Sequence, residues 1–193
     1  MQEAELEYWR ETCKGNSLAF EKLYNFYAAD LFRFGYRISS DYDLVQDSVQ
    51  DLFLHLWSKR HRLKEVQSPR FYLYRSLRNK LIRASESDRF LFSKDGELSE
   101  KWFPNEMDLL SSWISDETSQ FNIQRLQEAL LRLPIRQQEA IQLRYYHDFS
   151  AEEIGKIMDI NVQSVRNLLN RAMQQLRADL PFFPISLLTL AFS

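Results

Sequence analysis

Residues 150–177, SAEEIGKIMDINVQSVRNLLNRAMQQLR, constrain this chain more than any other stretch, because they read as two helices joined by a tight turn. Ser150 followed three residues later by Glu153 is a capping box, which satisfies the orphan amides where a helix begins. Ile154, Ile157 and Met158 give that short helix an apolar side. Asp159-Ile160-Asn161 is a turn: Asp and Asn tolerate left-handed backbone, and Asn161 can cap the next helix. In the second helix Val165, Leu168, Leu169, Ala172 and Leu176 recur at i, i+3/i+4 spacing and face inward. Small Gly155, the turn residue four later and Val165 ten later suit the packing of a helix-turn-helix. Gln163, Ser164, Arg166, Asn167, Asn170 and Arg171 face outward. All can donate hydrogen bonds and none is acidic, which is what a recognition helix in a major groove requires. Any helical hairpin has one apolar and one polar side, so the pattern favours DNA binding without deciding it.

At 193 residues the chain has room for one domain or two small ones. Its apolar fraction of 45% and charged fraction of 27% are those of a soluble globular protein. Glycine and proline are few and helical periodicity runs almost throughout, so the expected fold class is all-α. Cys13 is the single cysteine, which excludes an intramolecular disulfide and fits a reducing cytoplasm. The acidic start MQEAELEYWRE is no secretory signal, and no apolar run reaches membrane-spanning length. The histidines and the cysteine lack metal-ligand spacing, and there is neither a Gly-rich phosphate loop nor a nucleophile motif. No cofactor, no metal, no small-molecule substrate and no enzymatic activity are expected.

The net charge of −2 conceals a strong division. Residues 1–56 carry 5 basic and 10 acidic side chains, whereas residues 57–89 carry 10 basic and 3 acidic. Residues 90–121 are acidic again, with 2 basic against 7 acidic, and residues 122–193 nearly balance at 8 against 7. One basic block with aromatics interleaved is the footprint of a polyanion site.

Five pieces follow along the chain. Residues 1–15 are expected to form an N-terminal helical extension and residues 16–90 a helical domain. Residues 91–121, with Gly96, Pro104 and several serines, read as an acidic linker carrying a short helix around Asp108–Ser115. Residues 122–179 form a second helical domain, in which Pro134 separates a helix ending near Leu133 from one running to about Tyr146. Residues 180–193 are a hydrophobic tail.

In the first domain Phe20, Leu23, Tyr24, Tyr27, Leu31 and Phe34 make the apolar stripe of one long helix. Asp41 or Asp43 starts the next, where Val45, Val49, Leu52, Phe53 and Leu56 share a face that Trp57 extends. Asp43, Asp47, Gln50 and Leu54 lie on another face, with Asp51 beside them. Such a stripe is either plain solvent surface or a docking face for a basic partner, with Leu54 as its apolar anchor. After the basic loop SKRHRLKEVQSPR a third helix begins near Pro69. Leu73, Leu77 and Leu81 face inward. Tyr72, Arg75, Asn79 and Arg83 fall roughly opposite, with Arg78 on the flank and Arg70 and Lys80 adding charge. Rings beside arginines suit unpaired DNA, since stacking contributes about 1–3 kcal/mol per base and cations neutralise phosphate. At least one of Phe71, Tyr72 and Tyr74 is expected to pack between helices instead.

Taken in order, these pieces resemble the extracytoplasmic-function (ECF) sigma factors of bacterial RNA polymerase. DLVQDSVQDLFLHLW (43–57) is similar to the family's region 2.2, and RFYLYRSLRNKLIR (70–83) to its regions 2.3 and 2.4. Residues 133–177 resemble its region 4. The resemblance implies a region 2-like bundle and a region 4-like helix-turn-helix. It implies docking on the β′ clamp helices of core RNA polymerase through Asp43, Asp47, Gln50, Asp51 and Leu54. It assigns the promoter −10 element to Arg70, Tyr72, Arg75, Arg78, Asn79, Lys80 and Arg83, with a base flipped into a pocket formed with the 58–69 loop. The −35 element goes to Gln163, Ser164, Arg166, Asn167, Asn170 and Arg171. An anti-sigma factor is a further expected partner, and the tail is either packed, disordered or a hook for such a regulator. VRNLL (165–169) resembles the ECF factors of Bacteroidetes.

The chain departs from the family pattern at Tyr72, where Trp is common, and at Arg83, where Asp is common. Asp159 stands where Gly is usual, and Arg166-Asn167-Leu168 where Lys-Ser-Arg is frequent. Two other readings compete. A one-component helix-turn-helix regulator would have no use for the basic block at 57–89, and a helical interaction module would not touch DNA.

Overall fold

A computed structural model describes the backbone of residues 2–63, 66–87 and 117–180, and the side chains of residues 4–63, 66–84 and 125–180. The described residues are helical and contain no strand, as expected for an all-α chain. They belong to two compact units that divide near Lys94. The expected acidic linker as far as residue 116, including the helix expected around Asp108–Ser115, and the tail beyond Leu180 lie outside the described residues. Residues 117–121, expected in the linker, already belong to the first helix of the second unit.

The first unit holds α1 (Gln2–Lys14), α2 (Ser17–Ile38), α3 (Tyr42–Lys59) and α4 (Pro69–Ser87). Each start has a local cause. Asn16 accepts from the amides of Leu18 and Ala19 ahead of α2, and Asp41 accepts from Leu44 ahead of α3. Ser68 Oγ accepts from the Phe71 amide, with Pro69 in the first turn of α4, where its missing N–H costs nothing. Leu23, Leu31, Phe34, Val45, Leu56, Leu73, Leu77 and Leu81 are fully buried. Each contributes roughly 1.5–3 kcal/mol by leaving water. Tyr74 joins them, its ring 4.9 Å from Phe34. Gly35 sits where α2, α3 and α4 converge: a Cβ there would lie 2.9 Å from Val45 Cγ1 and 3.2 Å from Leu81 Cδ1.

α1 is an integral layer of this unit rather than an extension. Trp9 is 1% exposed, and Thr12 and Cys13 are buried beside it. Leu6, Trp9 and Cys13 repeat at i, i+3, i+7, which is enough of a stripe to dock a short acidic helix.

The second unit holds α5 (Glu117–Arg132), α6 (Ile135–Ile141), α7 (Ala151–Met158) and α8 (Val162–Asp179). Pro134 precedes α6, and the chain then widens into a π turn over Gln142–Tyr146 before ending near the expected Tyr146. Buried Gln138 closes the preceding bend, its Nε2 donating to the carbonyls of Leu133 and Leu131. Leu126, Ala129, Leu130, Leu133, Ile141, Ala172, Leu176 and Leu180 form one core cluster. Leu169 packs against it half-buried, and Leu168 is half-buried too, so the inward face of α8 is narrower than its sequence suggests.

Candidate nucleic-acid and docking interfaces

The helix-turn-helix forms as its sequence dictates. Ser150 Oγ accepts from the Glu153 amide at 3.2 Å, and the Glu153 carboxylate accepts from the Ser150 amide at 2.9 Å. Asp159 ends α7 in the left-handed region, φ 55 and ψ 49, and Asn161 accepts from Ser164 at 2.7 Å to start α8. Gly155 is required by the turn itself, because a Cβ there would stand 2.8 Å from the Ile160 carbonyl oxygen. Val165 is fully buried against this hairpin.

On the outer side of α8, Gln163, Arg166, Asn167, Asn170 and Arg171 are exposed and Ser164 is half-buried. Gln163 Nε2 donates to Asn167 Oδ1 at 3.2 Å, linking two amides one turn apart. Arg166 reaches Glu152 on α7 at 4.0 Å. Glu152 was not visible as a site residue from sequence, because its pairing crosses the turn.

On α3, Asp43, Asp47, Gln50, Asp51 and Leu54 are all exposed. Leu54 is 66% exposed while Leu52, Phe53 and Leu56 around it are buried. Leu18 at 68% and Ile135 at 55% are exposed as well, so what sets Leu54 apart is the acidic and amide side chains that precede it on the same face.

The basic helix α4 is divided. Arg75 and Arg83 are exposed, and Arg70, Tyr72, Asn79 and Lys80 are half-buried. Arg75 lies over the Phe71 ring, 5.9 Å from its centroid. Arg78 departs from the expected flank position: it is 6% exposed, one turn from buried Tyr74 and Leu81, and its stem is drawn into the helix packing. Tyr72 meets the Trp9 ring edge-on at 5.6 Å, and burial pushes its hydroxyl above the ordinary tyrosine pKa. Trp9 also donates its indole N–H to the Leu63 carbonyl at 3.1 Å, tying α1 to the loop before α4. That loop spends one of its own cations internally: Arg60 stacks on Trp57 at 4.5 Å and donates to its carbonyl at 2.7 Å. Only the i, i+3, i+7 stripe of α1 hinted at Trp9, and nothing in the sequence named its partners.

A groove of about 750 Å³ runs between α3 and α4. Asp51, Leu54 and His55 line one wall, and Tyr72, Asn79 and Arg83 the other. Across it Lys80 Nζ meets Asp51 Oδ2 at 2.6 Å. The acidic stripe and the tyrosine–asparagine face therefore share one edge. Among the described residues no group of acidic, His or Cys side chains is arranged to hold a metal ion, and no helix is long and apolar enough to cross a membrane.

A helical unit with an exposed acidic stripe and a basic aromatic face, followed by a helix-turn-helix unit, is the arrangement of a DNA-binding protein. Residues 23–90 match the family model of sigma-70 region 2, and residues 123–176 match that of sigma-70 region 4. Between them the two cover the greater part of the chain, which belongs to the sigma-70 family, in its ECF group. Similar curated proteins include the ECF RNA polymerase sigma factor SigL of Mycobacterium tuberculosis strain H37Rv, 26% identical over 82% of this chain and 86% of its own. SigW of Bacillus subtilis strain 168 is 22% identical over 89% of this chain and 94% of its own. Among solved structures, CnrH in complex with the cytosolic domain of CnrY has the same fold, with a TM-score of 0.57 and 20% identity over 92% of this chain and 97% of that one. The sigma factor RpoE of Bartonella quintana, in complex with the anti-sigma factor NepR, gives 0.56 and 22% over 86% and 98%. The chain is a sigma factor that binds core RNA polymerase and directs promoter recognition and transcription initiation. The one-component regulator and the interaction module are set aside.

Proposed function

We propose that α3 seats this sigma factor on the β′ clamp helices of core RNA polymerase through Asp43, Asp47, Gln50, Asp51 and Leu54. The observation that carries the reading is Leu54, exposed at the C-terminal end of that acidic stripe. Acidic groups steer a basic partner, and a desolvated leucine supplies affinity that charge alone does not. Arg166, Asn167, Asn170 and Arg171 of α8, with Gln163 and Ser164 at its start, hold duplex DNA at the −35 element. Tyr72 and Asn79 engage unstacked bases of the −10 element, with Arg70, Arg75, Lys80 and Arg83 on its phosphates. Arg78 supports α4 from within. Unstacking a base costs a few kcal/mol, which contacts in the α3–α4 groove offset only for the right base, and that selects sequence.

An anti-sigma factor is the natural regulator, as the assembly of RpoE with NepR illustrates for that protein. The VRNLL segment at 165–169 supports placement with the factors of Bacteroidetes.

Capture of bacterial core RNA polymerase by the purified protein tests the docking surface. Stoichiometric capture that Asp47→Ala/Gln50→Ala loses is the expected result. Equal capture by wild type and the double variant removes α3 as the anchor.

A further inference from the structure

We propose that the Asp51–Lys80 ion pair couples polymerase docking to strand capture, each side chain masking the other until one of the two partners arrives. The inference rests on the docking and strand-reading roles given to α3 and α4. Its own basis is geometric. Lys80 Nζ and Asp51 Oδ2 are 2.6 Å apart although 29 residues separate them in the chain. The ion pairs Lys14–Glu11, Arg33–Asp30 and Arg132–Glu128, by contrast, are local to one helix. Asp51 belongs to the acidic stripe and Lys80 to the basic face, and both remain solvent-accessible, with side chains 60% and 40% exposed. The groove they bridge carries Leu54 on one wall and Tyr72 and Asn79 on the other.

The electrostatics follow from that placement. A phosphate approaching Lys80 in the free protein meets the Asp51 carboxylate at nearly the same distance, so attraction and repulsion largely cancel. A polymerase cation set against Asp51 neutralises the carboxylate and restores Lys80 as a positive contact. The converse holds too: a phosphate on Lys80 frees Asp51 for the clamp. Whichever partner binds first breaks the pair and the second does not meet that cost again, so the two affinities rise by the same factor. A partly exposed ion pair sets that factor at about twofold to fivefold.

Two arms test this with the full chain. In the first, a fluorescent oligo(dT) strand is titrated at low salt against wild type, Asp51→Asn, Asp51→Asn/Lys80→Gln and Asp47→Asn, the last making the same charge change away from Lys80. Asp51→Asn should bind about twofold to fivefold tighter than Asp47→Asn, with a salt slope steeper by about 0.7, one more phosphate contact on a single strand. The double variant should lose that gain. In the second arm, Lys80→Gln should take core polymerase tighter than Arg83→Gln by the same factor. If wild type binds core and strand, but Asp51→Asn equals Asp47→Asn and Lys80→Gln equals Arg83→Gln, the coupling is overturned and the function stands. If no variant binds core or strand, both fall together.

Discussion

The Trp9 indole donates to the Leu63 carbonyl at 3.1 Å while its ring rests edge-on against Tyr72. One buried side chain of α1 thus holds both the loop entering α4 and the Tyr72 ring proposed above to engage the −10 strand. Trp9→Phe keeps the edge contact and deletes the donor, leaving a partly buried carbonyl to find another partner. Urea unfolding should show a loss of about 1–2 kcal/mol. Trp9→Ala should lose about 3–5 kcal/mol, as deletion of a buried indole leaves a cavity. A Trp9→Phe loss as large as the alanine loss would mean the ring contact contributes nothing.

The Ser150–Glu153 box fixes where α7 begins. Ser150→Ala removes the acceptor for the Glu153 amide and should cost about 0.5–2 kcal/mol, read as a lower Tm of the helix-turn-helix unit.

Asp159 occupies left-handed backbone that glycine adopts without a Cβ penalty. Asp159→Gly should stabilise by roughly 0.5–1 kcal/mol in the same thermal assay. A decrease in Tm would indicate that the Asp159 carboxylate contributes more than its backbone strain costs.

Glu152 stands 4.0 Å from Arg166, and both side chains are 61% exposed. Glu152→Gln should leave stability nearly unchanged and tighten non-specific duplex binding, since a carboxylate beside the DNA face is removed. Arg166→Ala should cost about 1–3 kcal/mol on a matched −35 sequence if it reads a base. Equal weakening on matched and scrambled duplexes would assign it to phosphate instead.

Burial raises the pKa of the Tyr27 and Tyr72 hydroxyls above the ordinary tyrosine value of about 10. Their folded-state pKa values exceed the unfolded ones, so this stabilisation is complete below about pH 10 and is lost as pH rises beyond it. Stability should therefore decline above pH 10, with both phenols ionising later than exposed tyrosines in a spectrophotometric titration. Tyr27→Phe and Tyr72→Phe should each flatten that decline.

Much of this was legible in the sequence because the signals are local. Capping at Ser150 and Asn161, a start at Asp41 or Asp43 that the structure settles at Asp41, the start near Pro69 and the stripes of α2, α3 and α4 all depend on residues within one or two turns. The exposed acidic stripe of α3 and the outer face of α8 follow from helical period alone. What stayed hidden depends on tertiary approach. Trp9 finds Leu63, Lys80 finds Asp51 and Glu152 finds Arg166 only once separate helices pack. Arg78 misled for the same reason: periodicity put it on a flank, and packing beside Tyr74 took that flank inside.

Gly35 lines no interface, yet it works as a gauge. Its bare α-carbon lets Val45 of α3 and Leu77 and Leu81 of α4 close against α2. The same two helices carry Asp51 and Lys80, so the width of the groove between them is calibrated from deep inside the bundle. A side chain added there would reset that width without altering any group that lines the groove. Where that groove selects a base, as proposed above, promoter choice is open to mutation from a buried position outside the groove lining.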